Sequence, residues 1–159
     1  MNPSLEARIE RLESIQEIQT LKYLYCKFCD NGYDGRKLAD LFVEDAVWEG
    51  NDNERHVGRA AVFAMFENMS NEIPFAAHTV FNPIIEVDGD RATGQWWLNM
   101  PCTRRIGDQL VAHWLAGTYE ETYIRTKEGW RFQHMKLDRK YWHPHLEDWG
   151  QASVRGHEG

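Results

Sequence analysis

The sequence predicts an α+β fold, with helices packed on one face of a single curved sheet, and three observations predict it. Three segments with apolar residues at helical spacing come first, with one brief strand among them. Four β-prone segments follow, joined by turns that read Asp88-Gly89-Asp90, Ile106-Gly107-Asp108 and Lys127-Glu128-Gly129. The chain has 159 residues, the size of one ordinary domain, so the segregated helices and strands share one core.

Ser4 caps the first helix, whose first turn carries Glu6. Leu5, Ile9, Leu12, Ile18, Leu21, Tyr25 and Phe28 then recur three and four apart, which predicts one long amphipathic helix to about Asp30. Asn31-Gly32 stops it, because glycine accepts the left-handed conformation at a helix end. A short helix is predicted from Arg36 to Phe42, then a brief strand from Ala46 to Glu49. A third helix follows Gly58, with Ala61, Val62, Met65 and Phe66 on one stripe, and ends within Asn68 to Asn71.

After Pro74 the pattern turns to β. Strands are predicted at Ala77–Val87, Arg91–Thr103, Leu110–Thr126 and Trp130–Tyr141, as an antiparallel meander. Strand periodicity puts Gly94, Trp96, Leu98 and Met100 on one face, and Thr93, Gln95, Trp97 and Asn99 on the other. His113, Leu115 and Tyr119 share a face in the next strand. Tryptophans on both sides fit a sheet that wraps a helix and has its outer face covered by other subunits. The domain is expected to span 1–149, and the polar, Gly-rich residues 150–159 to form a flexible tail.

Charge narrows the partners. Lysine and arginine number 18 against 25 acidic residues, a net charge of −7, which is the wrong sign for gripping a phosphate backbone or an anionic membrane. No apolar run approaches a membrane span, and the first nine residues carry charges where a signal peptide would be apolar. A cytoplasmic protein is expected. Three cysteines do not make a disulfide framework. The 7 Trp, 6 Tyr and 7 Phe exceed what a core of this size needs for volume, and they serve either a bulky core or an aromatic-lined pocket.

Several residues carry chemistry. His78 is a titratable ring followed by Thr79, Val80 and Phe81, a natural general base near neutral pH; the competing account is a hydrogen-bonded core histidine. Asp30 sits at the negative end of the long helix's dipole, a mild misfit that points to a role beyond ending the helix, although a solvated terminator fits too. On an ideal wheel Asp30 lies nearer Tyr23 and Cys26 than Tyr25.

The Cys26-Lys27-Phe28-Cys29 spacing, with Cys102, fits buried inert thiols better than a redox pair, which normally opens a helix. His143 and His145, with His134, Glu147 and Asp148, lack recognised ligand spacing, so no metal is expected. No Walker loop, dinucleotide fingerprint or GxSxG elbow is present, and no cofactor is expected.

The motif order "LEARIERLESIQEIQTLKYLYCKFCDNGYDGRKLADLFVEDAVWEG", "VGRAAVFAMF", "HTVFNPIIEVDGDRATGQWWL" and "GTYEETYIRTKEGWRFQHMKL" resembles the SnoaL-like branch of the NTF2-like superfamily, from about Leu5 to Tyr141. That branch includes scytalone dehydratase, hexachlorocyclohexane dehydrochlorinase and bile-acid 7α-dehydratase. The resemblance implies a cone, with a curved antiparallel sheet wrapping the long helix around a deep pocket. It also implies a cofactor-free lyase working through an Asp-His dyad. Asp30 in "YLYCKFCD" matches the aspartate, and His78 in "HTVFN" the histidine. Tyr25 and Arg139 match further catalytic residues of the bile-acid enzyme, whereas that enzyme's third-strand aspartate falls near Met100 and is missing. His113 is implied as a second pocket histidine.

Together these readings predict β-elimination from a bulky apolar or aromatic small molecule. Its wall would be drawn from Trp48, Phe63, Trp96, Leu98, Met100, His113 and Trp114. Formaldehyde-releasing cleavage, isomerisation and polyketide cyclisation remain open on the same scaffold. So do a non-catalytic carrier and an oligomerisation module. The branch also implies a homo-oligomer, a trimer favoured, with Trp97 at the interface.

Overall fold

The computed structural model describes residues 3–145. The expected tail, and the end of the expected domain with Glu147 and Asp148, lie outside the described residues. The elements run α1 (Leu5–Asp30), α2 (Gly35–Ala39), β1 (Phe42–Glu49), β2 (Arg55–Val57), α3 (Arg59–Glu72), β3 (Phe75–Ala76), β4 (Thr79–Asp88), β5 (Arg91–Ile106), β6 (Gln109–Thr126) and β7 (Gly129–Pro144). Ser4 caps α1 as its sequence position predicts, its side chain accepting from the Ala7 N–H.

The α+β architecture holds, with one open, seven-stranded sheet ordered β2-β1-β7-β6-β5-β3. Both β4 and β3 lie along the same edge of β5. One feature differs from an all-antiparallel meander: β1 pairs parallel to β7, so the sheet is mixed. The Arg36–Phe42 helix is also shorter than expected. It ends at Ala39, and Phe42 opens β1, where its ring is fully buried against Phe132. Two short strands, β2 and β3, escape a periodicity reading because three and two residues hold too little pattern.

Period-2 alternation places Ala92, Gly94, Trp96, Leu98, Met100 and Cys102 of β5 on the buried concave face. His113, Leu115, Tyr119, Glu121 and Tyr123 do the same on β6. Ile18, Leu21, Lys22, Tyr25, Cys26 and Cys29 of α1 are buried as well. From α3 come Val62, Met65 and Phe66, the stripe that its spacing predicts.

Register shifts within β1–β7, β4–β5 and β6–β7 bend the sheet around α1. Gly117, at the β6–β7 shift, permits a close approach of backbone to backbone: a Cβ there would stand 2.7 Å from the Asp138 carbonyl oxygen.

A buried ion pair crosses this core. Lys22 Nζ lies 2.5 Å from Glu121 Oε1, and both side chains are fully shielded from solvent. The other Glu121 oxygen accepts from the Tyr123 hydroxyl, which accepts in turn from the Trp96 indole N–H at 3.0 Å. The Lys22 ammonium also stands over the rings of Tyr119, at 3.2 Å, and Tyr25, at 4.8 Å. Both charged groups of this buried network, Lys22 and Glu121, therefore have partners, the condition under which such groups tolerate burial.

Candidate active site

His78 occupies a break in the sheet edge. β3 ends at Ala76, paired with Cys102, and β4 begins at Thr79, paired with Asn99. Pro101 lies between those partners and has no N–H to give, so the ladder cannot run on unbroken. The Ala77 N–H still reaches the Pro101 carbonyl, at 3.1 Å. The His78 N–H instead turns to α1, donating to Asp30 Oδ1 at 2.9 Å and Oδ2 at 3.1 Å.

The same carboxylate binds the ring, with His78 Nδ1 2.7 Å from Asp30 Oδ1. Backbone and side chain of His78 thus clamp one carboxylate, compensating its position at the negative end of the α1 dipole. Because an ionised carboxylate only accepts, this contact places the ring proton on Nδ1 and a lone pair on Nε2. Nε2 has no hydrogen-bond partner among the described residues.

The two groups differ in exposure. The His78 side chain is 5% exposed, whereas that of Asp30 is 33% exposed. Asp30, His78, Tyr23, Cys26, Lys27, Asn31, Thr79 and Val80 line a cleft of about 440 Å³. The helical wheel, which joins Asp30 to Tyr23 and Cys26 rather than Tyr25, matches this lining.

Tyr25 is 2% exposed and stands away from the cleft, edge-on to Phe42, Phe66, Tyr119 and Phe132. Burial, then the neighbouring Tyr119, pushes its phenol well above the usual range, so it stays protonated at neutral pH. The Trp48 indole N–H favours the ionised phenol slightly, yet it makes no hydrogen bond.

Tyr33 links Tyr25's surroundings to the dyad. Its ring meets His78 edge-on at 6.1 Å and stacks on Phe66, which touches Tyr25. Sequence reasoning missed Tyr33. Its one signal is position, just after the Asn31-Gly32 stop, where its φ of 54° turns the chain sharply.

Arg139 does not join the dyad among the described residues. Its guanidinium holds Glu54 Oε2 at 3.2 and 3.3 Å, and its N–H donates to Asn51 Oδ1 at 2.7 Å. Of the expected wall, Trp48, Trp96, Leu98, Met100 and His113 are buried on the concave side, but none of them lines the dyad cleft. Phe63 is half-buried, one position beyond Val62 on the core stripe. Trp114 points to the opposite face from His113 and Leu115, donating to Asn99 and stacking on His145.

His113 Nδ1 lies 3.0 Å from the Val111 carbonyl oxygen, which makes Nδ1 the donor. The three cysteines are buried free thiols, and burial pushes Cys26 up to about 11. Among the described residues no group of three or more His, Cys, Asp or Glu side chains is arranged to hold a metal. No helix among them is long and apolar enough to cross a membrane.

Comparison with known proteins agrees with this architecture. An NTF2-like protein with a cystatin-like fold from Novosphingobium aromaticivorans is 26% identical, with a TM-score of 0.70, covering 85% of this chain and 87% of that one. A protein of the same organism, provisionally assigned as a scytalone dehydratase, is 21% identical with a TM-score of 0.76 (86% and 91% covered). The hexachlorocyclohexane dehydrochlorinase LinA-type3 of Novosphingobium barchaimii is 20% identical with a TM-score of 0.75 (89% and 96% covered). At such identities the last two likenesses speak for the fold alone.

No curated protein matches the chain. The SnoaL-like domain family, however, matches residues 10–136, which hold both Asp30 and His78 and all the described strands except the second half of β7. The chain therefore belongs to the SnoaL-like domain family.

Proposed function

We propose that the protein is a cofactor-independent lyase of the dehydratase type, acting on a bulky apolar or aromatic small molecule through His78 and Asp30. The observation that carries this reading is the 2.7 Å contact between His78 Nδ1 and Asp30 Oδ1 around an imidazole that is nearly shut off from solvent. Asp30 holds the tautomer and stabilises the imidazolium, while Nε2 removes a proton beside an activating group of the substrate. The C–H electron pair becomes the new π bond as the β C–O bond breaks, and the leaving oxygen takes its proton from the imidazolium. Tyr25 and Arg139 stand apart from the dyad, so His78 serves as both base and acid in this scheme.

Family membership supports the reading, and the fold is one shared with proteins that carry the names of a dehydratase and a dehydrochlorinase. The same dyad serves an isomerase or a cyclase, which returns the proton to carbon or joins carbon to carbon instead of expelling a group.

Native mass spectrometry of ligand co-purified from cells, then turnover of that compound, tests the proposal. A product lighter by one water, formed by wild type and at least 100-fold more slowly by His78→Ala, is expected, since general base catalysis contributes about 10² to 10⁴-fold. Equal rates in the two proteins would remove the dyad, and a product of unchanged mass would move the reading to isomerisation.

We further place the domain at residues 1–149 and expect a cytoplasmic homotrimer. Trp97 and Phe81, paired across β4 and β5 and 44% and 40% exposed, would lie at the subunit contact. Light scattering that gives a monomer would overturn that assembly.

A further inference from the structure

A groove of about 840 Å³ lies between α1, the end of α2 and the β6–β7 turn, and it shares no residue with the dyad cleft. Leu21, Leu24, Phe28, Leu41 and Trp130 make its apolar floor. The volume falls within the range of small-molecule pockets, roughly 300 to 1,000 Å³.

Charge along the rim is unbalanced. Lys37 and Arg131, the lining cations, are already paired, with Asp34 at 2.9 Å and Glu128 at 3.5 Å. The lining carboxylates Glu13, Glu17 and Asp40 have no ion-pair partner among the described residues. Net negative charge over an apolar floor favours a cation that also buries area.

The floor supplies two further cues. Its aromatic rings already attract cations, the Lys37 ammonium at 5.9 Å from the Phe28 centroid and the Arg125 guanidinium at 4.7 Å from that of Trp130. Trp130 is only 3% exposed, and its indole N–H has no hydrogen-bond partner. A buried donor without an acceptor is costly, and a ligand acceptor would satisfy it.

We propose that this groove is a second small-molecule site, independent of the dyad, for a flat aromatic cation that carries a hydrogen-bond acceptor. The aryl group lies on Phe28 and Trp130, the acceptor takes the Trp130 N–H, and the cationic end faces Glu13, Glu17 and Asp40. No covalent step is involved.

The probe is benzoylcholine, compared with its neutral isostere 3,3-dimethylbutyl benzoate and its anionic analogue 2-sulfoethyl benzoate. Titrations follow the Trp130 indole N–H resonance of the full chain, assigned by its loss in Trp130→Phe. Benzoylcholine should shift that resonance in a saturable way, at least about tenfold more tightly than the neutral ester, while the anion leaves it in place. The triple variant Glu13→Gln, Glu17→Gln, Asp40→Asn should weaken binding by about tenfold, and added salt should weaken it in wild type. All three substitutions are on exposed side chains, so the fold should persist. Equal affinity for the three esters would overturn the proposal. So would a triple variant that binds like wild type, or a Trp130 resonance unmoved at roughly 10 mM benzoylcholine, where even a site with a Kd of about 1 mM would be about nine-tenths filled.

Discussion

Removing the ammonium from the buried Lys22–Glu121 pair should be among the most destabilising single changes in this core. In Lys22→Met the Glu121 carboxylate keeps the Tyr123 hydroxyl but loses a cation 2.5 Å away, with no solvent to replace it. Both side chains are fully shielded, so the screening that makes surface pairs weak does not apply. Breaking a buried pair from one side costs about 3 to 5 kcal/mol. For a domain of this size each kcal/mol lowers Tm by roughly 2 to 4 °C, which puts the expected drop at about 6 to 20 °C.

Replacing both partners by methionine should recover much of that loss, because no charge is then stranded. A residual cost of about 1 to 3 kcal/mol is expected, since the Tyr123 hydroxyl loses its acceptor. Urea unfolding of wild type, both single variants and the double variant completes the cycle. A Lys22→Met protein within about 1 kcal/mol of wild type, or a double variant no better than the single, would refute the reasoning.

Gly117→Ala should destabilise by about 1 to 3 kcal/mol in urea unfolding, because its Cβ would meet the Asp138 carbonyl oxygen at 2.7 Å and backbone must move; unchanged stability would show that the β6–β7 register shift absorbs it. Asp138 is held below the usual carboxylate range, first by Lys140 and also by Asn51 at 3.2 Å. Because its folded pKa lies below the unfolded one, its contribution is present at neutral pH and is lost as pH falls through the folded value. Asp138→Asn should therefore lower Tm at pH 7 and converge with wild type at a pH below the folded value. A Tm gap that persists at that pH would contradict this sign.

Much of the architecture was legible because periodicity is a local property. The twenty-six residues of α1 carry a repeating apolar stripe, a serine cap and an Asn-Gly stop. Alternation along β5 separates the face of Trp96 from that of Trp97 without reference to any other strand, while the burial of the Trp96 face is set by the tertiary structure. The dyad was legible only through family resemblance, since 48 residues separate Asp30 from His78 and no spacing rule joins them. The parallel β1–β7 pairing is a long-range event of the same kind, joining residues near 47 to residues near 134.

The amino-acid sequence by itself determined the order and type of the principal elements, the residues that share a face in each, and the candidacy of Asp30 and His78. Only the tertiary structure decided that Asp30 clamps His78 through both backbone and ring, that Tyr25 and Arg139 stand elsewhere, and that Lys22 is a buried cation. Patterning is set by contacts within a few residues, whereas these outcomes depend on how a bent sheet brings distant segments together. Lys22 shows the difference most plainly: its position on the inward stripe of α1 reads as an error until Glu121 arrives from β6, 99 residues later, to neutralise it.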